Sequence, residues 1–253
     1  MKNDWKRVFA RAYAVLLLSC ALQAEEECPI EVKLLLPPPT VQSVIASLGF
    51  VHEAKARVYF FDTDKLELLR QGVIMRVRQG ADNDLTAKVR VPESNMPVDF
   101  SRTAEHFPCE IDRTGAGENV SYSVQRTLKV QQVPETGAGI SNLLSPPQGM
   151  LLKKAGVSIE WVKVTRIANI KSTKWQSTTQ PRFRKLSLER WEWPGGEILE
   201  LSTKVGPGEG DSTNAELQEL VKMKGLSLSA NQGTKTKIVL ETLTGQPSIA
   251  GGR

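Results

Sequence analysis

Basic side chains occupy alternate positions along two neighbouring runs between residues 76 and 90. Arg76 and Arg78 are separated by one apolar residue, and Lys88 and Arg90 repeat this spacing. Successive side chains of a strand point to opposite faces, so each pair shares one face. A third alternating run carries Arg57, and a meander of the three strands would gather these five cations with no acid among them. A face of one sign favours a polyanion such as phosphate as its partner.

The alternative is the ordinary solvated face of an antiparallel sheet, where charged strand residues usually lie. Solvated faces normally mix both signs, because like charges directly across strands repel. The one-sign pattern therefore predicts an enclosed interior that holds the cations, with the intervening apolar residues packed outside. The inward set is Arg57, Arg76, Arg78 and Lys88, and the outward set is Val73, Met75, Val77 and Val89.

The remaining elements must position these strands. Asp82, Asn83 and Asp84 supply turn residues between the two basic runs. A first strand over 30–36 stops at three prolines, and a helix over 40–48 follows, with Thr40 as its N-cap and a glycine after it. We further predict a connection over 131–148, a helix over 214–223, and a last strand that carries Lys235 and ends near residue 243.

Three short segments resemble consecutive strands of the CYTH domain, also called the triphosphate tunnel metalloenzyme superfamily. They are Arg57–Thr63, Met75–Arg78 and Leu85–Lys88, and the resemblance extends from about Ile30 to Leu243. It implies an α+β fold, in which a closed or nearly closed antiparallel β-barrel forms a tunnel and helices pack outside. It also implies that basic lumen residues hold a triphosphate and that acidic ones hold Mg²⁺ or Mn²⁺.

Carried over residue by residue, the resemblance implies a substrate-binding set and a catalytic, metal-binding set. The substrate-binding residues are Lys33, Arg57, Arg76, Arg78, Lys88, Arg90, Arg166, Arg184, Lys204 and Lys235, and the catalytic and metal-binding residues are Glu31, Glu189 and Glu200. Two acids of the family pattern are replaced, one by Pro29 and one by Ser202. We therefore expect weak metal binding, because carboxylate oxygens offset the charge of the ion.

Two functions remain open. One is binding of a polyphosphate or an organic triphosphate with weak metal-dependent hydrolysis, and the other is a non-catalytic module that binds a phosphorylated ligand or serves a structural role. Both predict a small phosphorylated ligand. Nucleic acid is not expected, because residues 1–24 carry four bases and one acid, and without them the formal net charge falls from +5 to +2.

Residues 1–24 resemble a secretory signal peptide, with a basic start, an apolar stretch and Ala24 before three glutamates. The alternative is a lipobox that ends at Cys20, which would anchor an exported protein to a membrane. Residues 25–244 then form one barrel domain, and 245–253 a mobile tail. Export would permit a disulfide between Cys28 and Cys109, although two unpaired buried cysteines fit the sequence equally well.

Overall fold

The computed structural model describes residues 28–81, 83–91, 107–115, 117–129, 132–177, 179–180, 182–183 and 185–245. The expected signal peptide, with Cys20, lies outside the described residues. So do Arg184 and residues 246–253 of the expected tail. Among the described residues, no helix is both long and apolar enough to cross a membrane.

Nine strands close into a barrel in the order β1-β5-β6-β4-β3-β2-β7-β8-β9. Their bounds are Ile30–Leu36 (β1), Phe50–Asp62 (β2), Val73–Gln79 (β3), Asp84–Val91 (β4), Cys109–Thr114 (β5), Gly117–Thr127 (β6), Thr165–Ser177 (β7), Ser187–Trp193 (β8) and Gly196–Val205 (β9). The predicted closed barrel and its β2-β3-β4 meander are confirmed. The barrel is mixed and not purely antiparallel, because β1 and β5 run parallel.

The parallel seam between β1 and β5 is short and is reinforced at both ends. Three register pairs join the strands, and a disulfide links Cys28 to Cys109 with a Cα–Cα distance of 5.3 Å. Farther along β1, the amide of Ser229 and the side chain of Gln232 bond the main chain of Leu35 at 2.8–2.9 Å. Residues 229–232 thus bond β1 beyond the point where β5 pairs with it.

Helices cover the barrel, as predicted. Among the described residues they are Val41–Leu48 (α1), Glu67–Arg70 (α2), Gly137–Ser141 (α3), Pro146–Lys154 (α4), Gly210–Met223 (α5) and Lys235–Thr244 (α6). Thr40 is the N-cap residue of α1, but its side chain bonds Pro37 and does not cap the helix. The left-handed Gly49 ends α1.

The predicted last strand is wrong, because residues 235–244 form α6. The alternation of Lys235 and Lys237 suggested a period of two, but the buried positions follow the helical period. Lys235 and Val239 are four residues apart and both buried, as is Leu240 beside them. Gly245 ends the helix in the left-handed conformation.

The two faces of the meander differ as predicted in their apolar content. Val73, Met75, Val77 and Val89 pack outside the barrel wall, in a core that includes Leu151 of α4. Their neighbours Arg76 and Lys88 point the other way, into the lumen, where their side chains meet residues from other strands. The apolar cover therefore fixes which face of each strand is enclosed.

Candidate anion-binding lumen

Three arginines line one wall of the lumen. Arg76 and Arg78 lie on β3, and Arg90 lies on the adjacent β4. The Nε atom of each guanidinium is buried and has no hydrogen-bond partner among the described residues. Since buried donors are normally paired, three unpaired donors on neighbouring strands indicate that a ligand rich in acceptor oxygens belongs here.

Arg76 is a deeply enclosed cation. Burial lowers its pKa to about 10, and the neighbouring charge of Arg78 adds to this effect. The guanidinium is therefore still charged at neutral pH. Its Nη2 donates to Thr86 Oγ1 at 3.2 Å, and that hydroxyl in turn donates to Asp84. Asp84 begins β4 and does not form part of the turn, so the basic face of the meander carries one acid.

Two predicted ligand-binding arginines lie outside the lumen. Arg57 pairs with Gln79 in the β2–β3 register, whereas its neighbour Val58 pairs with inward-facing Arg78. Arg57 is consequently exposed and donates to Asn169 at 3.2 Å. The sequence prediction was wrong here because the inward face of β2 is apolar.

Arg166 was also predicted to face the lumen. A bulge in the β2–β7 register between Phe60 and Phe61 turns Arg166 to the outer side. There its guanidinium lies over the Tyr59 ring, 5.3 Å from the centroid, and bonds Glu135 at 2.7 Å. These two contacts hold the Arg166 guanidinium on the outer side of the barrel, away from the lumen.

Three carboxylates converge in the lumen near the parallel seam. Glu31 of β1 and Glu110 and Asp112 of β5 each place one oxygen within 4.8 Å of the others. The register pairs Glu31 directly with Asp112. Oxygen donors of this kind suit Mg²⁺ or Mn²⁺. These three residues form the acidic cluster discussed below.

Basic side chains surround the acidic cluster. Lys33 bonds both Glu31 and Asp112, while Lys88 lies 2.7 Å and Arg90 3.5 Å from Asp112. Burial would raise the pKa of Asp112, but these three positive charges outweigh it and hold the pKa well below its usual range. Lys204, another predicted site residue, bonds Glu110. The cluster is therefore already neutralised by lysine and arginine.

The predicted metal set of Glu31, Glu189 and Glu200 does not form one cluster. Glu189 and Glu200 face each other across β8 and β9, and Lys235 of α6 bonds both of them. Burial would raise the pKa of Glu189, but Lys235 and Arg78 lower it instead. The resemblance identified these two acids as site residues, but it did not indicate that a helix would supply their cation.

Asp112 and Glu110 were not identified from the sequence as metal ligands. The sequence offered part of the evidence, because Glu110 and Asp112 occupy alternate positions of a strand that begins at Cys109 and therefore share one face. Their partner Glu31 lies 81 and 79 residues away and becomes adjacent only through the parallel seam. Ser202 lies in the lumen wall, paired in register with Lys33.

Comparison with known proteins supports this architecture at the level of the fold. Neither a protein-family model nor a curated protein sequence matches the chain. A structure described as a putative adenylyl cyclase from Hippeastrum with a dominant triphosphatase activity superposes with a TM-score of 0.60 at 17% identity, over 84% of this chain and 94% of that one. A putative adenylate cyclase from Bacillus halodurans gives a TM-score of 0.55 at 19% identity, over 83% and 97%. The chain thus shares the closed-barrel fold of these two proteins, which agrees with the fold that the sequence resemblance implied.

Proposed function

We propose that the protein binds a polyphosphate or an organic triphosphate in its lumen. The observation that carries this proposal is the set of three buried, unpaired Nε donors of Arg76, Arg78 and Arg90. A buried donor without a partner costs free energy, and the cost is larger when the group is charged. A triphosphate offers several charged acceptor oxygens in a row, and it would satisfy donors from two adjacent strands at once.

The balance of charge in the lumen supports a polyanion over a single carboxylate. Lys33, Lys88 and Lys204 are bound to the acidic cluster, whereas the hydrogen bond of Arg76 within the described part of the chain goes to a threonine hydroxyl. Arg78 lies 3.6 Å from Glu189, a distance too long for a hydrogen bond, and Glu189 is already bonded to Lys235. The arginines therefore hold positive charge that the described acids do not fully neutralise.

Metal-dependent hydrolysis of the bound triphosphate is a second candidate function, which the acidic cluster favours. The three carboxylates fit a hard divalent cation by donor type and by spacing. Such an ion would neutralise negative charge on the phosphoryl oxygens and polarise a phosphorus for attack by water. Glu31, Glu110 and Asp112 would hold it, and Lys33 and Lys88 would then bond the phosphate oxygens.

The same lysines set a limit on catalysis. Lys33 lies 2.8 Å from Glu31 and Lys88 lies 2.7 Å from Asp112, so a metal ion has to compete with two ammonium groups. A triphosphate would relieve this competition by accepting hydrogen bonds from both lysines. We therefore expect metal to bind together with the phosphate ligand, and hydrolysis to be slow. A protein that binds the ligand without hydrolysing it is the alternative.

A titration without metal tests the binding proposal directly. Calorimetry of the protein with orthophosphate, pyrophosphate and tripolyphosphate should give affinities that rise with each added phosphate, because each one adds charge and acceptors. Equal and negligible heats for all three anions would refute the proposal. A phosphate-release screen of tripolyphosphate and nucleoside triphosphates with Mg²⁺ or Mn²⁺ then separates hydrolysis from binding alone.

We also propose that the protein is exported, and the Cys28–Cys109 disulfide supports this. Stable disulfides form mainly in oxidising compartments. Fractionation of cells that express the full chain, with mass determination of the mature N-terminus, distinguishes cleavage after Ala24 from lipidation at Cys20. Recovery of the uncleaved chain in the cytoplasm would contradict export.

A further inference from the structure

The Cys28–Cys109 disulfide continues the register of the parallel seam. The two cysteines are 81 residues apart in sequence, and every register pair between β1 and β5, Glu31 with Asp112 among them, has the same separation. The disulfide is therefore one further, covalent link in the same ladder. A slip of one residue would turn the side chains of a strand to its other face. The disulfide thus holds the register in which Glu31 lies opposite Asp112.

The seam is the weakest ladder of the two strands that it joins. Between described residues, β1 has seven register pairs with β9 and β5 has six with β6, but β1 and β5 share three. Parallel pairing is also slightly less stable per residue than antiparallel pairing. Without the disulfide, each strand would keep its longer ladder while the seam opened. Reduction would therefore loosen the barrel at one place and leave the rest of the sheet paired.

The acidic cluster is divided by this seam. Glu31 lies on β1, whereas Glu110 and Asp112 lie on β5. Ion pairs also cross the seam, from Lys33 of β1 to Asp112 and from Lys204 of β9 to Glu110. The lysine of the second pair is 55% exposed, and exposed ion pairs add little stability. In the liganded state Lys33 would bond phosphate oxygens in place of the acids, which leaves the disulfide as the main link beside the cluster.

We propose that the Cys28–Cys109 disulfide is a redox switch for metal binding by the acidic cluster. In the oxidised protein the three carboxylates meet and hold one divalent ion, whereas in the reduced protein the seam opens and Glu31 moves out of reach of the other two. Oxidation joins the two thiols through one S–S bond, and the two electrons and two protons released pass to a disulfide oxidant, which becomes a dithiol. The switch rests on the proposed function and adds its regulation, because the site would be completed only in an oxidising compartment.

The arginine wall lies away from the seam and should not respond to reduction. Arg76 and Arg78 belong to β3 and Arg90 to β4, and β6 lies between β4 and β5 in the closed sheet. Both cysteines are half-buried, so a small dithiol can reach the bond. The reduced protein should therefore keep its affinity for tripolyphosphate while it loses affinity for the metal. A general loss of structure would instead abolish both.

Calorimetry of the oxidised and the reduced protein tests the switch. The reductant is a dithiol, which is removed without air before the metal is added so that it cannot bind the ion. With tripolyphosphate present, reduction should weaken Mn²⁺ binding by about ten- to a hundredfold, the loss typical when a group that orients metal ligands is removed. Reoxidation with a small disulfide should restore the affinity. An equal Mn²⁺ affinity in both states would overturn the proposal.

Hydrogen exchange shows whether the seam opens locally. The amide of Ile111 on β5 donates across the seam to the carbonyl of Pro29 at 2.9 Å. Its exchange should become faster after reduction, while the amides of β3 and β4 stay protected. Unchanged exchange at Ile111, or loss of protection throughout the barrel, would contradict a local switch.

A matched variant separates the switch from a loss of overall stability. Leu151→Ala removes a fully buried side chain of α4, which packs on β4 and β6, and should destabilise the protein about as much as loss of the disulfide. Cys28→Ser/Cys109→Ser should lose Mn²⁺ affinity and Leu151→Ala should keep it, so equal losses would count against the switch. If the oxidised protein binds neither tripolyphosphate nor Mn²⁺, the proposed function is refuted, and the switch with it.

Discussion

Replacing Arg76 and Arg78 together with alanine should abolish stabilisation of the protein by tripolyphosphate. Both guanidinium groups face the lumen, and each has a buried Nε without a partner. At a ligand concentration of one hundred times Kd, a bound ligand stabilises the wild-type protein by about 2.7 kcal/mol. For a chain of this size that corresponds to a rise in Tm of roughly 5–11 °C.

The double substitution removes at least two hydrogen bonds to charged groups, each worth about 1.5–3 kcal/mol. A total of about 3 kcal/mol or more raises Kd at least about a hundredfold. The same ligand concentration then lies near or below the new Kd, and the stabilisation falls to about 0.4 kcal/mol or less. The rise in Tm should accordingly shrink to about 2 °C or less.

The assay is a thermal melt of each variant with and without tripolyphosphate, with each variant compared to its own unliganded protein. The matched control is Arg57→Ala with Arg166→Ala, which removes the same charge from the outside of the barrel. It should keep the full wild-type shift. Full stabilisation of Arg76→Ala/Arg78→Ala, or loss of stabilisation in the control, would show that the anion binds elsewhere.

Three further predictions concern the acidic cluster, the disulfide and acid stability. Glu31→Gln should weaken Mn²⁺ binding by about tenfold or more, since one of three oxygen ligands loses its charge. Calorimetry with tripolyphosphate present measures this affinity. The control Glu189→Gln should leave it unchanged, because Glu189 lies outside the acidic cluster and bonds Lys235. Replacing Cys28 and Cys109 with serine should lower the free energy of unfolding by about 4–5 kcal/mol, because the crosslink closes a long loop. The unfolding free energy should also fall as pH decreases through about 4.5 and 3.8, the ordinary pKa values of Glu189 and Asp112, because both pKa values are lowered in the folded protein.

The predicted loss of stability in acid follows from the direction in which the pKa values of Glu189 and Asp112 are shifted. A carboxylate whose pKa is lower in the folded state stabilises that state above its unfolded pKa, and the contribution is lost as pH falls toward the folded value. Urea unfolding at a series of pH values measures the slope, which should be shallower in Glu189→Gln. A stability that stays constant from pH 5 to pH 2 would contradict the lowered pKa values. Loss of Mn²⁺ binding in Glu189→Gln would contradict the prediction for the acidic cluster. An unchanged free energy of unfolding after replacement of both cysteines would contradict the prediction for the disulfide.

The sequence by itself determined the strands of the meander and the inward direction of Arg76, Arg78 and Lys88. Alternation of apolar and basic residues has only one arrangement that buries the apolar side, so the valines and the cations take opposite faces. Closure of the barrel makes the basic face the lumen. The same alternation failed for Arg57, because large apolar residues lie on both faces of its strand, Val58 and Phe60 on one and Tyr59 and Phe61 on the other. Local pattern does not choose the inward face when both faces carry such residues.

Only the tertiary structure decided which acids meet and which cations neutralise them. Glu31 and Asp112 become neighbours through a parallel pairing of strands far apart in the chain, and no local spacing encodes that register. Glu189 and Glu200 were correctly expected in the lumen, but Lys235 reaches them from a helix that resembled a strand in sequence. Side-chain direction is a local property of a strand, whereas a binding site depends on distant elements whose contacts are fixed only when the barrel closes.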